Sequence, residues 1–384
     1  MGQATRSPQT QTKPNMQLTI AVLEGDGVGP EVTREAVRVL RAVASIHDYK
    51  FSFVHRPIGG AAIKQSGSPL PTATLDACLA ADAVLLGAVG GPEFDDLPAH
   101  QRPEAGLLLL RRALGNYANL RPAIWYDSIA SASPLRSEVA AGSDILIVRE
   151  LLGGLYFGEP RGICGENGNT VATNTMTYSG MEIERVARVA FEAASLRRKK
   201  VTSVDKANVL EASSLWRRIV SQVSSDYPEV TLDHLYVDAC AMHLMRNPKR
   251  FDVLLTENLF GDILSDEAAV ISGSLGMLGS ASIGGEVGLY EPVHGSAPDI
   301  AGLGIANPFG AIASAAMLLR FSGKLEHEAN NIDEAIRLVL RAGYRTPDID
   351  SEGNGYSAST SEIGELVTDA LAEIADLQHA YHAV

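Results

Sequence analysis

The chain has 384 residues, 46% of them hydrophobic and 20% charged, and a net charge of −14 at neutral pH. That length exceeds a typical single domain and can bury a large core without disulfides, while the acidic balance excludes a nucleic-acid or anionic-membrane surface built on clustered Lys and Arg. An anionic substrate must therefore meet a local basic pocket. The widely spaced Cys78, Cys164 and Cys240 fit a reducing, cytoplasmic setting and not a disulfide framework or a thiolate zinc site.

Residues 1–15 are polar and lack an apolar core, so they read as a disordered extension and not a secretory signal. QLTIAVLE (17–24) alternates like a strand, and EVTREAVRVLRAVASIH (31–47) places Val32, Ala36, Val39, Leu40 and Val43 on one helical face. A strand over 51–56, a helix over 72–81 and a short buried strand over 83–89 follow. The pattern repeats as strand 144–150, helix 183–200, strand 201–205, helix 210–223 and strand 251–257, which implies an α/β sheet covered by helices. RRKK (197–200) is expected at the end of its helix, complementing the macrodipole. The segments 310–322, 331–342 and 361–381 read as helices with few strands between them. No stretch of about 18 apolar residues occurs, so no transmembrane helix is expected.

EGDGVGPE (24–31) lies between the first strand and the first helix, where a dinucleotide-binding turn often stands. Its spacing refuses that reading: a fingerprint begun at Gly25 or at Gly27 needs a sixth-position Gly or Ala, and finds Pro30 or Val32. Glu24, Asp26 and Glu31 also crowd the turn with negative charge where a pyrophosphate needs donors. A tight turn re-aiming the chain above the strand ends is the better reading.

Several other segments carry chemistry. Arg111 follows four leucines, Arg121 lies in NLRP and Arg149 closes the strand DILIVRE. Arginine in such company is desolvated unless it meets an anion, and three of them point to a substrate with two carboxylates. Tyr156 stands in a glycine-rich loop soon after Arg149, where a phenol could act as an acid. Lys206, between the strand VTSVD and a helix, has the profile of a general base or of a lysine reaching to solvent. Asp238 opens an apolar helix, a usual N-cap position. In FGDILSDE, Asp262 and Asp266 are one helical turn apart; near a helix start the dipole would favour them, and a Mg²⁺ or Mn²⁺ ion would relieve their repulsion. Apolar flanking residues imply that this pair is mostly buried. EPVHGSAPDIAGLGIANP (291–308) makes a long loop with backbone N–H groups free for phosphate. There His294 could sit by adenine or phosphate, and Asp299 could accept from a ribose diol, which favours NAD over NADP.

Taken in order, GDGVGPE, LLGAVGGPEFDDLP, RPEAGLLLLR, NLRP, VRELLGGLYFGEPRG, VDKANVLE, YVDACAMHL, NLFGDILSDE and HGSAPDIAGLGIANP resemble the β-decarboxylating dehydrogenases of the isocitrate/isopropylmalate family from about Met16 to about residue 370. The resemblance implies a two-domain α/β fold that is not a Rossmann fold. Residues 16–116 plus 273–384 would form a cofactor-binding domain, and 117–272 a metal, substrate and dimerisation domain with an arm near YFGEPRG. It implies that Arg111, Arg121 and Arg149 bind malate carboxylates, with Tyr156 as catalytic acid and Lys206 as base. It also implies metal ligation by Asp262 and Asp266, with Asp238 and Lys206 contributed by the other subunit of a homodimer. NAD contacts are expected at Val28, Gly91, Glu104, His294, Gly295, Ser296, Ala297, Asp299, Ile300 and Asn307. Leu107 and Leu108 would form an apolar wall that also contacts substrate and suits the isopropyl group of 3-isopropylmalate. The implied reaction is oxidation at C2 followed by loss of CO₂. Two departures from the family pattern are Leu303, where Lys is usual, and Gly279, where Pro is usual.

Overall fold

The computed structural model describes residues 16–165 and 168–382. Residues 1–15, expected as an extension, lie outside them. The first half of the chain supplies strands β1 (Gln17–Gly25), β2 (Lys50–His55), β3 (Ala83–Ala88), β4 (Ala118–Ile124) and β5 (Asp144–Glu150), and the short β6 (Gly162–Cys164) and β7 (Val171–Thr173). Its helices are α1 (Gly29–His47), α2 (Gly59–Ser66), α3 (Thr72–Leu79), α4 (Pro103–Leu114), α5 (Ser137–Ala140) and α6 (Gly180–Ser195). The second half supplies β8 (Lys200–Asp205), β9 (Thr231–Tyr236), β10 (Val253–Thr256), β11 (Gly279–Ile283) and β12 (Gly288–Pro292). Its helices are α7 (Glu211–Ser224), α8 (Val237–Arg246), α9 (Asn258–Ala268), α10 (Phe309–Phe321), α11 (Glu326–Arg341) and α12 (Thr360–His382).

One ten-stranded sheet runs β2-β1-β3-β12-β11-β4-β5-β10-β8-β9. The two flanks are parallel, as βαβ crossovers require, and the centre is antiparallel: β11 opposes both β12 and β4, and β4 opposes β5. The strands on the β12–β11 side come from residues before 117 and after 272, and those on the β4–β5 side from between. Long helices α1, α10, α11 and α12 share one large apolar cluster with α6 and α7 on one face of the sheet. The other face carries two smaller clusters, one with Ile58, Cys78, Leu110 and Leu114 and one with Cys240, Leu244, Leu264 and Ala268.

Several expected boundaries moved: the helix expected over 331–342, for one, starts at Glu326. The helix expected over 183–200 starts at Gly180, because Ser179 and Glu182 form a capping box. It ends at Ser195, Lys199 adopts φ +59°, and Lys200 opens β8. RRKK is therefore not a helix terminus. Arg197 instead donates to Asp252 and Asp144 at 2.8 Å, tying the helix exit to β5 and β10.

The GDGVGPE turn is a staple. Asp26 accepts from Gly60 N and Ala61 N at 2.7 Å and from Gly90 N at 2.9 Å, drawing three loops together. Val28 N donates to Ser296 O at 2.8 Å; Gly27 has φ +57°, and a Cβ there would stand 1.9 Å from that carbonyl oxygen. Gly67 shares the left-handed backbone, φ +76°, with nothing near its missing Cβ. Gly67→Ala should thus cost about 1 kcal/mol, from backbone strain alone. Gly27→Ala should cost about 2–3 kcal/mol because the backbone of two loops must separate as well; urea unfolding of the two variants measures the difference.

Candidate active site

Register puts the polar centre of the sheet on one face. Opposed residues and residues two apart share a face, so Asn119 and Arg121 of β4, Arg149 of β5, Ser280 and Ser282 of β11, and Glu291 of β12 all look the same way. Their neighbours Leu120, Val148, Ala281 and Tyr290 belong to the large cluster behind. This polar strip separates the two smaller apolar clusters, so a cleft opens between α4 and α9 with strand side chains as its floor.

Three guanidiniums converge there. Arg149, 1% exposed, donates from Nε and Nη2 to Asn258 Oδ1 at 3.1 and 2.7 Å and from Nη1 to Asp262. Arg121 donates to Asn119 Oδ1 and Ser265 Oγ at 2.7 Å, with Asp262 and Asp266 at 3.4 and 3.6 Å. Arg111 reaches in from α4 and pairs with Glu291 at 2.6 Å, while its Nε is buried without a partner. Burial, and then the like charge of Arg121, pull the Arg149 guanidinium down to about 10 against the opposing pull of Asp262. A further anion in this cleft would restore it.

The carboxylates answer that charge. Burial acts to raise the Asp262 carboxyl, but Arg149, Arg121 and a 2.7 Å hydrogen bond from Tyr156 Oη outweigh it and hold it below the usual value. Asp266 is held above its usual value by desolvation and by Asp262. Glu257 caps α9, so the two aspartates lie mid-helix and in its last turn, not at the start where the dipole would favour them. The expectation that this segment is mostly buried also fails in part: Ile263 is 58% exposed and the Asp266 side chain faces solvent. Asp238 is the second residue of α8 and not its cap; it accepts from Lys206 Nζ at 2.6 Å. Asp238 pairs with Lys206 and not with the arginine cluster, and no group of three metal-ligating side chains forms among the described residues.

A divalent cation still fits the donor set. Three guanidiniums face the three carboxylates of Glu291, Asp262 and Asp266. A dicarboxylate bound beside them leaves two uncompensated negative charges, which a hard dication on carboxylate oxygens would offset.

The 291–308 loop borders a cavity of about 490 Å³. Val28, His294, Gly295, Ala297, Ile300 and Asn307 line it, joined by Ser274, Leu275, Ile305 and Asp348. Ser296 lies just behind, holding Val28 N, and Asp299 is exposed between lining residues. Gly91 and Glu104 stand apart from the cavity; Glu104 lies against Gly90 instead. His294 Nδ1 bonds Gly295 O at 2.8 Å, and burial keeps the ring below its usual pKa. The expectation of free loop N–H groups needs correction, since Gly302 N and Gly304 N both donate to Glu31. Leu303 is exposed, and at Gly279 a Cβ would meet Ser314 N at 2.7 Å, so α10 approaches too closely for proline.

Residues 19–367 match the isocitrate/isopropylmalate dehydrogenase family. The 3-isopropylmalate dehydrogenase of Aquifex aeolicus is 55% identical over 357 residues, 93% of this chain and 98% of its own. That of Halalkalibacterium halodurans is 55% identical over 363 residues, 94% of this chain and all of its own. The crystal structure of isocitrate dehydrogenase from Methylococcus capsulatus superposes with a TM-score of 0.82 at 35% identity, over 92% of this chain and 99% of that one. The β-decarboxylating dehydrogenase of Thermococcus kodakarensis gives 0.75 at 38%, over 94% and 98%. The chain belongs to the isocitrate/isopropylmalate dehydrogenase family.

Its fold is that family's two-flank α/β sheet and not a Rossmann fold. Sequence reasoning missed Asn119, Asn258, Ser265 and Glu291, which hold the arginines, and Asp348, which borders the cavity. Asn119 had a signal, since period-two alternation from Arg121 puts it on the same face. Asp348 had none, because its partners Ser274 and Asn307 are distant in sequence.

Burial and the bond to Asp262 raise the Tyr156 phenol from 10.0 to about 12. A raised phenol stays protonated through the neutral range and is ready to donate. Difference-absorbance titration of the protein against Tyr156→Phe should therefore show its phenolate only above about pH 11; ionisation at the ordinary value would contradict the assignment.

Proposed function

We propose that this protein oxidises and decarboxylates 3-isopropylmalate to 2-oxoisocaproate and CO₂, with NAD as hydride acceptor, on the route to leucine. The observation that carries it is the convergence of Arg111, Arg121 and Arg149 with Asp262 and Tyr156 in one cleft, in a chain 55% identical to 3-isopropylmalate dehydrogenases along their whole length.

The arginines hold the two carboxylates and so fix C2 and C3 in the cleft. Leu107 and Leu108 precede Arg111 by four and three residues on α4, so they share its face and meet the isopropyl group. Apolar contact separates related malates by about 1–3 kcal/mol, so slow turnover of close analogues is expected. Asp262 and Asp266, with Asp238 of a second copy, would hold Mg²⁺ or Mn²⁺, whose charge stabilises the oxygen that turns negative at C2. Lys206 takes the hydroxyl proton while hydride leaves C2 for NAD. The carboxylate β to the new ketone departs as CO₂, and Tyr156 delivers a proton to C3. The proton lost at oxygen and the proton gained at carbon balance.

The cofactor lies along the cavity of His294, Gly295, Ala297, Ile300 and Asn307, with Asp299 at the ribose and Val28, Gly91 and Glu104 toward the nicotinamide. The two flanks of the sheet, 16–116 with 273–384 and 117–272, act as domains that meet at the β4–β11 seam. A homodimer completes the site. Val209, Tyr236, Met242 and Ile263 are exposed apolar residues on the elements bearing Lys206, Asp238, Asp262 and Asp266, and such patches mark interfaces. The exposed β6–β7 ribbon, with Ile163 and Val171, serves as the dimerisation arm. The setting is cytoplasmic, consistent with three unpaired cysteines; no described helix is long and apolar enough to cross a membrane.

NADH formation from 3-isopropylmalate should exceed that from isocitrate or tartrate in kcat/KM, prefer NAD⁺ to NADP⁺, and vanish with EDTA. A better rate with another acid would sink the substrate assignment. Lys206→Ala and Asp262→Asn should each abolish turnover while sparing NAD binding. Mixed and re-equilibrated, the two inactive variants should recover about a quarter of wild-type activity, because half the dimers then hold one intact shared site. No recovery would place Lys206 and Asp262 in the same chain's site.

A further inference from the structure

Asn258 is fully buried at the start of α9 and touches three parts of the cleft at once. Its Oδ1 accepts from Arg149 Nε at 3.1 Å and Nη2 at 2.7 Å. Its Nδ2 donates to Gly153 O at 3.1 Å, and its backbone N donates to Tyr178 Oη at 3.0 Å. The amide orientation is forced: a guanidinium only donates and a carbonyl only accepts, so oxygen must face Arg149 and nitrogen Gly153. Gly261, one turn along α9, lets the arginine pass, since a Cβ there would stand 2.7 Å from Arg149 Cγ.

Arg149 has five N–H groups. Asn258 occupies one on Nε and one on Nη2, and Asp262 one on Nη1, which leaves one on each terminal nitrogen. A carboxylate accepts from such a pair bidentately. Gly153, meanwhile, opens the short helical turn Gly154–Tyr156 that carries the phenol. The ring of Tyr178 packs where a Cβ on Gly153 would stand, at 2.6 Å, so this turn has little room to shift.

We infer that Asn258 is a positioning residue that sets which edge of Arg149 meets the substrate and, through Gly153, where Tyr156 stands for protonation. This rests on the roles given above to Arg149 and Tyr156. It couples two steps: the same amide that orients the carboxylate binder also anchors the acid.

The test uses the full chain with Asn258→Ala and the near-isosteric Asn258→Asp. Asn258→Asp keeps an acceptor for Arg149 but loses the donor to Gly153 and adds a charge that competes with substrate for the guanidinium. Both should raise KM for 3-isopropylmalate and lower kcat, each by about tenfold or more, with the NAD dissociation constant unchanged. Run in D₂O with the product trapped at once by reduction of its ketone, the wild type should place deuterium on one face of C3. The variants should lose that stereospecificity, which a merely structural role would not move. A folded variant with either KM or kcat within about twofold of wild type, or with full stereospecificity, overturns the inference. Loss of folded, NAD-binding protein in both variants makes Asn258 purely structural and overturns it too. Wild type that does not turn over 3-isopropylmalate removes the functional reading itself; active wild type beside unmoved variants removes only this one.

Discussion

Everything in the cleft answers to one constraint: like-charged guanidiniums gathered on one face of a sheet, largely out of water. Burial acts first on both buried guanidiniums, like charge adds to it, from Arg121 on Arg149 and from Arg111 on Arg121, and Asp262 sits against both and opposes it. Deleting either partner of such a pair strands a charge and costs about 3–5 kcal/mol. The helper residues follow from the same need, since each guanidinium hydrogen that faces protein must be accepted by something. Asn119, Ser265, Asn258 and Glu291 do this, and the hydrogens left over define where an anion goes.

The sheet is what makes such a gathering possible. Its flanks are parallel and carry apolar clusters on both faces, whereas its centre is antiparallel and carries a buried polar strip on one. The antiparallel turnaround at β11 and β4 brings strands from distant parts of the chain side by side, so Glu291 and Arg149 share a face although 142 sequence positions separate them. Apolar clusters stop on either side of this strip. The cleft is thus a gap in the hydrophobic layer and not a groove cut into it.

The GDGVGPE turn belongs to the same architecture. Its glycines exist to bring backbone against backbone, and Asp26 spends its oxygens on loop amides. Glu31, in the first turn of α1, holds the far loop at Gly302 and Gly304. Two of the carboxylates that argued against a phosphate cradle turn out to be ties, Asp26 to the backbone at 60–61 and 90 and Glu31 to the 291–308 loop.

Much of this was legible from residue order. Period-two and period-3.6 patterns located β1, β2, β3, β5, β8 and β10 and most of the long helices, because burial on one face imposes those periods locally, but they did not place the central strands β4, β11 and β12. Arginine after an apolar run, and aspartates one turn apart, announced a dianion and a cation, because buried charge demands a partner wherever it occurs. Ordered motifs named the family. Tertiary structure alone decided which groups meet: that Asn258 serves both Arg149 and the Tyr156 loop, that Arg111 pairs with Glu291, and that Asp238 and Lys206 pair with each other, away from Asp262. Those contacts join segments far apart in the chain, and a pattern that repeats every few residues carries no information about which distant segment it will face.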